Sequence, residues 1–146
     1  MEQIKVDNFM KENPECGFPK YTSLDNKVCT EIRMILFDKL SVDLNANSLT
    51  LVEKVDKLSQ LYSGIGCDES HYDLKKILLS FDINPDEYVY INWYRYDEVD
   101  RMRFVDLAKY IHDIWYPDVD DIDIFDASFT WVLSLNHSGQ IKILML

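Results

Sequence analysis

Glu87–Tyr96 reads EYVYINWYRY, and its side chains alternate in character. Val89, Ile91 and Trp93 fall on one side, and Tyr88, Tyr90, Asn92, Tyr94 and Tyr96 on the other. A period of two is what a β-strand imposes. One face suits a core; the other is a stripe of tyrosines. Upstream of this strand the period is helical. A short helix is expected near Val6–Glu12, ending before Asn13-Pro14, and a loop over Glu15–Tyr21. Ser23 is the expected N-cap of a helix over Asp25–Leu40, with Val28, Ile32, Ile35, Leu36 and Leu40 at helical spacing. A second helix is expected over Ser48–Ser63, closed by Gly64 and Gly66, and a third over Ser70–Phe81. Downstream, Phe104, Leu107, Ile111, Ile114 and Trp115 predict a helix over Asp100–Trp115, stopped by Pro117. After an acidic link over Asp118–Asp126, Phe129–Asn136 and Gln140–Leu146 read as a hairpin turned at His137-Ser138-Gly139. Phe129, Trp131, Leu133 and Leu135 form its core face. The expected fold is α+β: three or four helices on a small, mostly antiparallel sheet, in the order ααα-β-α-ββ.

The chain has 146 residues, which suits one domain, mostly helical over 1–81 and strand-helix-hairpin over 82–146. At 47% hydrophobic it carries enough apolar side chain for a core, which excludes wholesale disorder. The net charge is −11, and its placement is uneven. Residues 1–81 hold 13 acids and 10 bases, whereas residues 82–126 hold 13 acids against Arg95, Arg101, Arg103 and Lys109 alone. That same middle segment holds ten of the 19 aromatic residues. Such acidity opposes binding to a phosphate backbone, which calls for many Lys and Arg. It also opposes anchoring to anionic lipid. No apolar run approaches a membrane span, and the first residues lack the blocks of a secretory signal. Cys16, Cys29 and Cys67 are too few and scattered for a disulfide framework, so the expected compartment is the reducing cytoplasm.

No catalytic motif is present, and nothing calls for a cofactor. The acidic link, PDVDDIDIFD, places Asp118, Asp120, Asp121, Asp123 and Asp126 close together. A calcium loop needs Gly at position 6 and Glu at position 12, and neither start, Asp118 or Asp121, supplies them. A metal-dependent hydrolase built on Asp118–Asp126 is one alternative, without histidine support or a defined general base. Tyr and Trp give large, rigid contact area with a polar handle. Acidic groups among them favour a cationic protein partner. The expected partner-binding residues are Asp97, Glu98, Asp118, Asp120, Asp121, Asp123, Tyr94 and Tyr96.

Three stretches of the last third carry a resemblance: VYINWYRYDEVDRM, HDIWYPDVDDIDIFD and FTWVLSLNHSGQIKIL. An acidic loop followed by Phe-x-Trp-Val-Leu-Ser-Leu-Asn-His-x-Gly and an apolar strand is similar to the C-terminal hairpin of small bacterial immunity proteins. These accompany polymorphic and contact-dependent growth-inhibition toxins. The matching positions are Asp123, Asp126, Trp131, Ser134, Asn136, His137 and Gly139, within about 55 of the 146 residues. The resemblance implies a cytoplasmic, non-enzymatic protein that binds and neutralises one toxin domain, a cationic nuclease fitting the charge best. The alternative within the binding class is a phage-type acidic inhibitor that mimics nucleic acid against a DNA-binding protein. An open edge on Gln140–Leu146 would admit a second copy as a homodimer, or a strand of the partner.

Overall fold

Alternation in the middle and last thirds of the chain builds one antiparallel sheet with helices on both faces. The computed structural model describes residues 1–63, 67–68 and 71–146, with backbone alone described at Cys67, Asp68, His71 and Tyr94. In chain order the elements begin with α1 (Gln3–Glu12), β1 (Tyr21–Ser23), α2 (Asn26–Lys39), α3 (Ser48–Leu58) and β2 (Gln60–Tyr62). A two-residue ribbon of β3 (Cys67–Asp68) and β4 (His71–Tyr72) precedes α4 (Leu74–Leu79). Then come β5 (Tyr88–Tyr94), β6 (Glu98–Arg103), α5 (Phe104–Ile114), β7 (Ile122–Asp126), β8 (Trp131–Leu135) and β9 (Ile141–Met145). The main sheet has seven strands in the order β1-β6-β5-β7-β8-β9-β2. No helix among the described residues is long and apolar enough to cross a membrane.

Side chains leave the strands alternately for two cores. Val89, Ile91, Ile122, Ile124, Trp131 and Leu133 point to one, which α4 and α5 cover with Leu74, Ile77, Leu107 and Ile111. Phe125, Val132 and Leu144 point to the other, where α2 and α3 supply Ile32, Leu36, Leu51 and Val55. The helix α1 reaches the first layer through Phe9, whose ring meets Phe18 and Tyr110 edge-on at 5.0 and 5.1 Å. A sheet covered on both faces needs apolar residues in both phases. WVLSL in β8 has them.

The α+β class stands, but the sheet is larger than expected. Asp100–Arg103 is not helical. It belongs to β6, paired with β5 through Ile91↔Asp100 and Tyr88↔Arg103. The tight turn between them holds Arg95 at φ 45° and Tyr96 at φ 61°. Consecutive left-handed residues match the twist of a hairpin. Beyond the last helical residue of α3, Gln60–Tyr62 pairs with β9, and the expected exit glycines lie outside the described residues. The third helix shrinks to Leu74–Leu79, with Asp73 as its cap, accepting from the Lys76 amide at 3.1 Å. Ser23 is a strand residue, and Asp25 caps α2 by accepting from the Val28 amide at 2.9 Å.

The acidic link contributes a strand near the middle of the sheet, β7, between β5 and β8. Ile122, Ile124 and Phe125 feed the two cores, which outweighs the two carboxylates they carry with them. Phe129 leaves the Trp131 face; at φ 50° it turns to the second core, stacking on Tyr90 at 6.3 Å. The terminal strand is no open edge, since β9 lies between β8 and β2. The edges are β1 and β2, three residues each.

Candidate functional site

Each strand near the centre of the sheet carries a polar residue among apolar ones: Asn92 in β5, Asp123 in β7, Ser134 in β8 and Lys142 in β9. Register aligns them. Asn92 pairs with Asp123, Asp123 with Ser134, and Ser134 with Lys142. The result is a polar row on the α2–α3 face. Asn92 Nδ2 donates to Asp123 Oδ2 at 3.0 Å, and Ser134 Oγ donates to Asp123 Oδ1 at 2.6 Å. The Tyr96 amide donates to Asn92 Oδ1 at 2.7 Å, which fixes the orientation of that amide group. At the end of the row Lys142 Nζ reaches Asp56 of α3 at 2.5 Å.

Above this row, α3 stands away from the sheet end and leaves a cleft of about 390 Å³. Leu49, Val52 and Val55 form its apolar wall, with Asp123 and Ser134 on the floor and Arg95 and His137 at the mouth. The imidazole Nδ1 of His137 lies 2.9 Å from Asp121 Oδ1, and its backbone amide donates to the same oxygen at 2.8 Å. Asp123 is half-buried. Burial pushes its carboxyl pKa above the ordinary value, and Asp121 adds to the rise. Hydrogen bonding from Ser134 and Asn92 and the nearby Tyr96 hydroxyl offset only part of it. Behind the floor, Tyr96 is fully buried, and its hydroxyl has no hydrogen-bond partner of good geometry. Burial, then the neighbouring Asp123, raise its pKa well above the ordinary value.

The rise at Asp123 means that folding favours its protonated form. This group therefore stabilises the fold below the ordinary Asp pKa, and that contribution is lost as pH climbs through the raised folded-state value. Against Asp123→Asn, the native protein should gain relative stability as pH falls from about 7 towards about 4. Urea midpoints of the two proteins at each pH measure it. A flat difference, or one of opposite slope, would show that burial does not govern this carboxyl.

On the opposite face a second set of charges is fully engaged. Lys5 is buried; its Nζ donates to Asp120 Oδ2 at 2.5 Å and to the Ile114 carbonyl at 3.1 Å. It lies 4.1 Å from the ring centroid of Tyr116 and 5.0 Å from that of Trp93. Asp100 accepts from Ser23 Oγ at 2.5 Å and Trp93 Nε1 at 2.7 Å, and pairs with the Met1 amine. This cluster ties α1 and β1 to the sheet.

The expected binding residues are thus divided. Asp97 and Glu98 are exposed on the β5–β6 side, Asp97 paired with Arg33. Asp118 and Asp121 are exposed on the α5–β7 link. Asp123 faces the cleft. Asp120 is turned inward to Lys5. Tyr96, expected on an outward stripe, is buried, because α2 and α3 cover that face of the sheet. The side chain of Tyr94 lies outside the described residues. Phe104, Trp115 and Phe125 of the same segment are also buried, and Tyr88, under Arg101 at 3.9 Å, is the exposed ring at the far end of β5. The carboxylates of Asp118–Asp126 do not converge, and among the described residues no group of three or more His, Cys, Asp or Glu is placed to hold a metal ion. Asn92 is the site residue the sequence did not single out. Its signal was a lone amide in an apolar strand. Compared with protein-family models, curated proteins and solved structures, the chain matches none.

Proposed function

We propose that this protein is an inhibitor of the immunity type, acting in the cytoplasm by occupying a cationic cleft on a toxin domain, without catalysis of its own. A nuclease domain fits best, because a groove built to hold phosphates is lined with Lys and Arg. One observation carries the reading. Sheet register brings the acidic residues of two separate segments to the same end of the sheet: Tyr94 pairs with Glu98 while Asn92 pairs with Asp123, so Asp97 and Glu98 lie at the end of the sheet where Asp121 and Asp123 line the cleft. Arg33 and Lys142 offset Asp97 and Asp56 there. Glu98, Asp118 and Asp121 stay exposed to a partner. The rings contribute less contact area than the sequence suggested, so charge rather than aromatic anchoring directs the encounter. Charge of this kind acts chiefly on the association rate.

The test is charge reversal at two exposed positions. Glu98→Lys/Asp121→Lys should slow association with the cognate toxin domain by about tenfold or more at low salt. Its thermal unfolding should stay close to that of the native protein, since exposed sites contribute little to stability. Unchanged association kinetics would place the interface elsewhere. Co-expression with that toxin gives the cellular readout: growth restored by the native protein, and restored less by the double variant.

A further inference from the structure

We infer that the β1 edge of the sheet takes an added strand from a partner protein, an extended segment whose acidic side chains alternate with apolar ones. This contact is separate from the acidic cleft, since Glu98 stands at one end of β6 and Arg103 at the other.

Two independent observations meet at this edge. The first is a row of open backbone groups. The Leu24 amide donates to the Val99 carbonyl at 2.9 Å, and on the other side of β6 the Phe104 amide donates to the Glu87 carbonyl at 2.9 Å. Hydrogen-bonded pairs alternate along an antiparallel ladder. Thr22 therefore turns its N–H and C=O towards Arg101, while those of Tyr21 and Ser23 face outward. No other segment among the described residues bonds to these groups, and all three residues of β1 are exposed. Such an edge is a template for one more strand, which exchanges two bonds with each outward residue.

The second observation is the charge beside it. Thr22 pairs with Arg101, and one further step of the same register sets Lys20 beside Arg103. Lys20, Arg101 and Arg103 are exposed and share one face of the sheet. The chain has a net charge of −11, yet among the described residues Glu87, 3.6 Å from Arg103, is the one carboxylate paired with any of the three. Arg101 lies over the exposed Tyr88 ring at 3.9 Å, which holds it at the surface. A strand added beside β1 stands about 4.8 Å away. Its residues opposite Lys20 and Thr22 project to the cationic face, and acids suit those positions. The residue between them projects to the other face, beside Tyr21 and Phe18, whose rings meet edge-on at 5.6 Å; an apolar side chain suits that one. A second copy of the chain fits less well. Pairing two β1 edges brings Lys20 and Arg101 of both copies to one face, and an edge lysine is a common guard against such self-pairing.

The probe is the capped heptapeptide Thr-Glu-Val-Glu-Val-Glu-Thr, titrated into the isotopically labelled full chain and followed by backbone amide shifts. Saturable shifts are expected, largest at Tyr21 and Ser23, with a dissociation constant of roughly 0.1–1 mM, as suits so short a ligand. Replacing its three glutamates by lysines should weaken binding at least about tenfold. Methylating both valine amides removes the donors that face β1 and should weaken it as much. Lys20→Glu/Arg101→Glu should lose the acidic peptide and accept the lysine one. Glu98→Lys/Asp121→Lys should bind the acidic peptide at least as well as the native protein, so this site and the docking reading above stand or fall separately. Equal binding of the lysine peptide or the methylated one by the native protein, undiminished binding of the acidic peptide by Lys20→Glu/Arg101→Glu, shifts that bypass β1, or no saturable binding would each overturn the inference. So would a thymidine oligonucleotide that moves the β1 amides where the peptide does not, or dimerisation of the chain through those amides, since the occupant would then be a nucleic acid or a second copy.

Discussion

Asp120→Ala should cost about 3–5 kcal/mol of folding stability, read as a loss of urea midpoint at constant slope. The carboxylate is the counter-ion of Lys5, whose side chain is 1% exposed. Without it the ammonium keeps the Ile114 carbonyl and the faces of Tyr116 and Trp93. Ring faces contribute about 0.5–2 kcal/mol to a cation, which does not replace an ion pair. The Tyr116 amide, which donates to Asp120 Oδ2 at 2.8 Å, loses its acceptor as well. Lys5→Met should be milder, because Asp120, at 11% exposure, retains the amide and some water. The pair Lys5→Met/Asp120→Asn should recover much of the loss, since a buried pair replaced by neutral groups is often close to neutral. Two residues away, Asp118→Asn should change stability by no more than about 0.5 kcal/mol, since the side chain is exposed and Asn tolerates the left-handed φ of 70° there. Equal costs at Asp118 and Asp120 would mean that the Lys5 pair is not the contact that holds the link in place.

The contrast between Asp118 and Asp120 shows where sequence reading stops. The hydrophobic period found the strand at Glu87–Tyr96, the helices now α2 and α3, and the closing hairpin, because each buries a face wide enough to be seen within a dozen residues. It missed β6 and β7 for one shared reason. Both bury residues on two faces, β7 along its length and β6 at Val99, Asp100 and Met102, and both carry charges satisfied by other elements. Asp100 in β6 meets Ser23 and Trp93, and Asp123 in β7 meets Asn92 and Ser134. Read locally, DRMR looks like the first turn of the helix that follows it and DVDDIDIFD like a solvated link. The charges of the candidate site were visible, but not their facing. Asp120, Asp121 and Asp123 are near neighbours in sequence, yet one turns to Lys5, one to His137 at the rim and one to the cleft floor. Of the tyrosine stripe, Tyr96 is buried under α2 and α3 while Tyr88 stays exposed, a difference set by helices far away in sequence.

Asp126→Ala should be as damaging as Asp120→Ala, about 3–5 kcal/mol, for a different reason. This carboxylate is 2% exposed and is held by four hydrogen-bond donors. Oδ1 accepts from the Ser128 amide at 3.0 Å and Ser128 Oγ at 2.5 Å. Oδ2 accepts from the Asp86 amide at 3.0 Å and Trp131 Nε1 at 3.1 Å. One side chain thus joins the segment leading into β5, the β7–β8 turn and the indole at the start of β8. Bonds to an ionised acceptor contribute about 1.5–3 kcal/mol each, though not additively within one cluster. Asp126→Asn keeps one oxygen as acceptor and turns an amine towards the remaining donors, so it should recover only part of the loss. Denaturation followed by tryptophan fluorescence measures both variants, and a cost below about 1 kcal/mol would mean that water replaces the carboxylate. Asp123 lies three residues away on the same strand and on the opposite face, and because burial raises its pKa its replacement by Asn should cost less at neutral pH than in acid. One strand thus carries two carboxylates in different settings, Asp126 held by four donors and Asp123 raised in pKa by burial with Asp121 adding to the rise, and a cationic partner at the cleft is the interaction that would offset the burial of the second.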